Sequence, residues 1–150
     1  MIKTKASFRA LRESCGLTQQ NVADEFGVRT LAVKRWESET DHRNPPDDVW
    51  EWLVELHQNM IAEARKAASN ALALAEEERN GGPVRIRYYR TQEALDEWQL
   101  PAGLDRPAGY VNAMSMRAAE LIEDAGRETV MVYDDSMAVE PVEGYAVHPL

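Results

Sequence analysis

Apolar positions in the first third of the chain recur at helical spacing, in short runs closed by glycine. Phe8 and Leu11, with Cys15 more loosely in step, give a first helix over about residues 6–14 that stops at Gly16. Thr18 stands where an N-cap belongs, because its hydroxyl can accept from an early amide of the next helix. Val22, Ala23 and Phe26 are that helix's apolar stripe, and Gly27 ends it. A third helix is predicted from about Arg29 to Glu37, followed by the polar, turn-like SETDHRN. Pro45 and Pro46 before Asp47 and Asp48 mark a new helix start, with carboxylates at the positive end of the dipole.

From there Val49, Leu53, Leu56, Met60, Ala64, Ala67, Ala71 and Leu74 recur at steps of four and three. This nearly heptad stripe predicts one long helix to Glu78 or Arg79, broken by Asn80-Gly81-Gly82-Pro83. Its first half is expected to pack on the three helices before it. The alanine-rich second half is equally compatible with a solvated extension and with packing on a partner or on the carboxyl-terminal part.

Beyond the break the period changes to two. VRIRYYR sets Val84, Ile86 and Tyr88 on one face and Arg85, Arg87 and Tyr89 on the other, a half-buried strand. Thr91 caps a short helix bearing Leu95 and Trp98. A proline- and glycine-containing loop leads to a helix over residues 110–125, with Val111, Met114, Ala118, Leu121, Ile122 and Ala125 on one face and Gly126 at its end. ETVMVY, residues 128–133, is a second strand, and little regular structure is expected from Asp134 onward.

The expected fold is therefore a helical amino-terminal domain with a long connecting helix, followed by a small α+β module of β-α-α-β order. The expected boundaries are 1–79, 84–133 and an irregular tail at 134–150. Two strands alone are marginal, so the module needs helices or a further strand to cover it. Leu95, Trp98, Val111, Met114, Leu121 and Ile122 are the predicted dimer contacts.

Composition narrows the function. A hydrophobic fraction of 44% is that of a folded chain. No apolar run approaches the roughly 18 residues of a membrane span, and the opening MIKTKASFRALRE lacks the apolar core of a signal peptide. The lone Cys15 cannot form an internal disulfide and reads as a small buried hydrophobe, which fits the cytoplasm. The charge is polarised. Residues 1–35 hold seven lysines and arginines against Glu13, Asp24 and Glu25, a net +4; with −9 overall, the remainder carries −13. A basic head on an acidic body suits a local anionic partner while repelling loose phosphate contacts elsewhere.

Residues 17–37, LTQQNVADEFGVRTLAVKRWE, resemble the lambda-repressor/Cro-like (XRE) helix-turn-helix family. The resemblance rests on Leu17-Thr18-Gln19, Val22-Ala23, Gly27-Val28, Val33 and Trp36-Glu37, in register without insertion, and covers roughly the first 65 residues. Ala23 lets two helices approach, Gly27 makes the turn, and Val33 and Trp36 anchor the third helix. Asn21 departs from the pattern, which has Glu or Gln completing a capping box, so a weakened cap is expected. The layout of the whole chain is similar to that of phage and mobile-element regulators, including anti-CRISPR-associated autorepressors. That likeness implies dimerisation and autoregulation.

Helical geometry selects the contact residues on its own terms. With Val33 and Trp36 inward, Leu31 and Arg35 point away, flanked by Lys34 and Ala32, with Arg29 near the edge. Family docking puts the start of this helix in the major groove, which adds Thr30. Arg35 can donate twice to guanine O6 and N7, Leu31 can pack on a thymine methyl, Thr30 can bond a base or a phosphate, and Lys34 suits phosphate. The resemblance implies that Gln19 and Gln20 clamp the DNA backbone. Arg43 could reach phosphate or the minor groove, or simply be solvated.

Rival functions fit less well. His42, His57 and His148 are scattered, and neither a metal-ligand spacing nor a glycine-rich phosphate loop occurs, so no enzyme, metal or cofactor is expected. An antitoxin-like module that binds a partner protein through the acidic carboxyl-terminal half is the main alternative. RNA contact through Arg85, Arg87 and Tyr89 competes with plain charge protection of an edge strand. The reading is a dimeric, sequence-specific DNA-binding regulator of repressor type, acting on double-stranded DNA at an inverted-repeat operator.

Overall fold

Six helices and one two-stranded parallel sheet make up the described part of the chain, residues 1–78 and 81–133 of a computed structural model. Helix α1 (Lys5–Ser14) starts at Thr4, whose hydroxyl accepts from the Ser7 amide at 3.0 Å. Helices α2 (Gln19–Phe26) and α3 (Thr30–Glu37) follow, joined through Gly27, Val28 and Arg29. Helix α4 (Asp47–Glu77) is one unbroken element of 31 residues with Asp47 and Asp48 in its first turn. Strand β1 (Val84–Tyr88), helices α5 (Gln92–Gln99) and α6 (Ala108–Asp124), and strand β2 (Thr129–Tyr133) complete the order. The expected tail, residues 134–150, lies outside the described residues, as do Arg79 and Asn80. No helix among the described residues is long and apolar enough to cross a membrane.

Aromatic rings organise the amino-terminal core. Fully buried Phe8 stands edge-on to Trp36 at 6.3 Å and to Trp50 at 5.4 Å, which ties α1 to both α3 and α4. Phe26 meets Trp52 in the same manner at 5.3 Å, locking the end of α2 on α4. Cys15 is buried in this core, and desolvation pushes its thiol up to about 11, so it packs as a neutral side chain.

The second half of the chain closes on the same core rather than standing apart from it. Leu95, Tyr110 and Val111 belong to one hydrophobic cluster with Phe8, Trp36 and Leu53. Further along α4, Ala64 and Ala68 pack with Ala118 and Ile122 of α6. This corrects two expectations. Leu95, Val111 and Ile122 are buried by their own chain, so they are not dimer contacts in this fold; Met114 and Leu121 are half-buried against the same clusters, and only Trp98 is exposed. The α4 stripe also runs through Ala68 rather than Ala67, leaving Ala67 and Leu74 at the surface. Small side chains at Ala64 and Ala68 admit α6 at close range, which settles what the alanine-rich half of α4 packs against.

At Gly16 and Gly109 the two halves touch backbone to backbone. A Cβ on Gly16 would lie 2.0 Å from the Gly109 carbonyl oxygen, and one on Gly109 would lie 2.1 Å from that of Gly16. Gly16 also sits at φ +66°, where side chains are disfavoured.

The strands run parallel because α5 and α6 return the chain to the same end of the sheet, with Val84 beside Thr129, Ile86 beside Met131 and Tyr88 beside Tyr133. Val84 and Ile86 face α6. The expected alternation fails at the end of β1. Tyr89, not Tyr88, turns inward, because Asn112 captures its backbone: the Tyr89 amide donates to Oδ1 at 2.9 Å and Nδ2 donates to the Tyr89 carbonyl at 2.8 Å. Tyr88 is exposed instead, its ring edge-on to Tyr133 at 6.4 Å.

Candidate nucleic-acid interface

The surface of interest is built by α2, the turn at Gly27, and α3. Thr18 accepts from the Asn21 amide at 3.0 Å, and the Asn21 Oδ1 accepts from the Thr18 amide at 2.9 Å. The capping box is therefore complete. Asn21 does not weaken the cap as expected, since even its shorter side chain spans the gap. Gly27 takes the left-handed conformation at φ +62°, and the Val28 amide then donates to the Ala23 carbonyl at 3.0 Å, closing α2 and reversing the chain. Ala23 is fully buried, as a close crossing of the two helices requires.

From beneath, α3 is held by apolar and ionic contacts together. Val33 and Trp36 are buried in the core. At its carboxyl end Glu37 receives both Nε and Nη2 of Arg12, at 2.5 and 3.0 Å, while Arg12 Nη1 donates to the Leu17 carbonyl at 2.7 Å. Both side chains are almost fully buried, at 8% and 4% exposure, so this fork joins α1, the entry to α2 and the end of α3 in a low-dielectric setting. Lys5 adds a cation at the negative end of the α3 dipole, its Nζ donating to the carbonyls of Arg35 at 3.0 Å and Trp36 at 3.4 Å, and to that of Arg43.

Above this base, the outer face of α3 carries four of the eight predicted contact residues. Leu31 is 51% exposed, Lys34 is exposed, and Arg35 and Thr30 are half-exposed. Thr30 donates to the side-chain oxygen of Gln20, whose amide in turn donates to Asp24 at 2.6 Å, so α2 and α3 are cross-linked at the surface. Arg29, the residue before α3, is exposed. Among the described residues neither Arg29 nor Lys34 forms an ion pair.

Two predicted residues are placed differently. Gln19 turns inward and donates to Glu37 at 2.9 Å, so its amide is committed to the buried ionic cluster. Arg43 pairs with Asp41 at 3.0 Å, beyond the carboxyl end of α3, and Arg35 lies 3.9 Å from the same carboxylate. The backbone amide of Arg43, then the charges of Arg43, His42 and Arg35, hold the Asp41 carboxyl below its usual range. Arg12, Glu37, Lys5 and Asp41 were not singled out as site residues from the sequence. The pairing of Arg12 with Glu37 crosses 25 residues, and no periodicity links them.

Comparison with protein-family models and with curated proteins finds no match for this chain.

Proposed function

We propose that the chain is a sequence-specific DNA-binding transcriptional regulator, a Cro-like helix-turn-helix head on a β-α-α-β body. In this reading it acts as a dimeric repressor of its own or neighbouring genes at an inverted-repeat operator. One observation carries the reading: an exposed leucine, Leu31, at the centre of the outer face of α3, beside the cations Lys34 and Arg35, on a helix fixed from below by Trp36 and the Arg12–Glu37 fork. A leucine flanked by two cations on a rigidly held helix suits a major-groove reader, because thymine methyls and guanine acceptors lie side by side on the groove floor. Arg35 is the base reader, Leu31 the methyl contact, Thr30 the hydroxyl set in place by Gln20, and Lys34 and Arg29 the phosphate contacts. Arg29, Lys34 and Arg35 on this face supply the attraction, since Arg12 is neutralised by Glu37 and Lys3 by Asp47, and the acidic remainder keeps other faces off the duplex.

The test is selection of bound duplexes from a random double-stranded library with the full chain. Recovery of one inverted-repeat motif, with affinity falling steeply in salt, is the expected result. Recovery of unrelated sequences, or of none, would overturn the reading.

A protein-interaction module remains the second reading, and its observation is the run of exposed Trp98, Leu100 and Leu104 at the end of α5. Substituting all three by serine would abolish partner capture in that case while leaving duplex selection unchanged.

A further inference from the structure

The two strands of the sheet have differently defended edges. Arg85 and Arg87 project from the outward face of β1, and the guanidinium of Arg87 covers the Trp98 ring at 4.3 Å. Charge of this kind blocks edge-to-edge pairing. Strand β2 has none: Thr129, Val130, Met131, Val132 and Tyr133 are all uncharged. Among the described residues β2 pairs with β1 alone, so its other edge presents a row of backbone donors and acceptors with no strand beside it. Val130 and Val132, which the register places on the same face as Arg85 and Arg87, are only half-buried.

We infer that β2 is the dimer contact, pairing antiparallel with β2 of a second copy across a two-fold axis. The inference rests on the dimeric reading proposed above and names the surface that serves it. With the axis through Met131, Val130 of one copy lies opposite Val132 of the other and Thr129 lies opposite Tyr133. Within the strand, each pair joins β-branched or aromatic side chains, and no like charges meet between residues 129 and 133. The resulting sheet has the order β1-β2-β2-β1. Four valines form its outward centre, and Arg85 and Arg87 of each copy form its guarded rim, the arrangement of an apolar interface core with a polar border. The same operation on β1 would set arginine against arginine, which disfavours it. The sheet grows from two strands to four, a size that is stable on its own terms. The interface is isologous, as a two-fold dimer requires.

The test uses the full chain in sedimentation equilibrium. Wild type is expected to be a dimer at micromolar concentration. The double variants V130K/V132K and V130E/V132E should each raise the dissociation constant by roughly 30-fold or more, since like charges then face each other where valines were buried. Their equimolar mixture should recover a heterodimer. A wild-type monomer, or a lysine variant that dimerises like wild type, would overturn the inference. Met131→Cys provides a check independent of the charge variants. Opposed residues in an antiparallel pair lie about 4.5–5.5 Å apart at Cα, within disulfide reach, so mild oxidation should give a covalent dimer. The matching Arg85→Cys protein should stay unlinked, and the reverse pattern would overturn the assignment. Duplex selection separates this outcome from the functional reading. A β2-linked dimer that selects no motif keeps the interface and loses the regulator, whereas a β2-independent protein that selects a motif does the opposite.

Discussion

Helix α3 and strand β2 both present apolar side chains to solvent, but on different foundations. Beneath α3 lie Trp36, Val33 and a buried two-point ion pair, and Lys5 caps its carboxyl end. Beneath β2 the contact with α6 is thinner, and one backbone edge has no strand along it among the described residues. A rigid helix with mixed chemistry on its outer face can read a ligand side chain by side chain. A short strand with an open edge is suited instead to taking on another strand. Exposure of a leucine and exposure of a valine therefore carry different meanings in one molecule, and the difference lies in what supports them.

The largest effects should come from breaking the foundation of α3. Trp36→Ala removes a buried ring that packs edge-on to Phe8 and should lower unfolding stability by about 3–5 kcal/mol. Chemical denaturation measures it, and an unchanged midpoint would mean that Trp36 is not a core residue. Glu37→Ala strands the Arg12 guanidinium in the interior and should cost about 3–5 kcal/mol as well, whereas replacing both partners with apolar residues of similar volume should recover most of that loss. Recovery in the double variant would show the fork to be a specificity device rather than a source of net stability.

Smaller effects sharpen the contrast by altering the outer face of α3 alone. Arg35→Ala should weaken specific binding by about 1–3 kcal/mol and relax preference at one base pair in each half-site, with little change in melting. An equal loss on scrambled duplex would remove Arg35 from the base readers. Lys34→Ala should weaken specific and scrambled duplex alike and reduce the salt slope by about 1.

The smallest effect concerns acid. Asp41 is held below its usual range in the folded chain, first by the Arg43 amide and then by the charges of Arg43, His42 and Arg35. Its contribution is thus fully present above the unfolded carboxyl value and is lost as pH falls through the depressed folded value. Melting curves from neutral to acidic pH should decline less steeply for Asp41→Asn than for wild type. Parallel curves would show that the loop after α3 gains nothing from this carboxylate.

How much was legible in advance follows from the range of the signal. The Thr18 N-cap, the Gly27 turn and the inward Val33 and Trp36 are local, set by neighbours within a turn or two, and each could be read from spacing. The apolar face of α6 was equally visible, but spacing left its cover open: packing of the alanine-rich half of α4 on the carboxyl-terminal part was one of the options, and it is the one found, through Ala64 and Ala68. Tyr88 and Tyr89 exchanged roles because a distant side chain, Asn112, captured the backbone where the strand ended. Arg12 counted toward a basic surface until Glu37, far along the chain, drew it inside. Gln19 followed the same carboxylate inward. Pairings across long stretches of sequence leave no periodic trace.

In the dimeric regulator proposed above, the seam at Gly16 and Gly109 bears on operator architecture. Where two main chains press together with no side chain between them, little slack remains for the head to swivel on the body. A dimer built from such bodies would hold its two heads like the jaws of a fixed gauge. The distance between half-sites would then be read as strictly as the bases themselves. Moving one half-site by about five base pairs, half a helical turn, would carry it to the opposite side of the duplex, out of reach of a head that cannot follow.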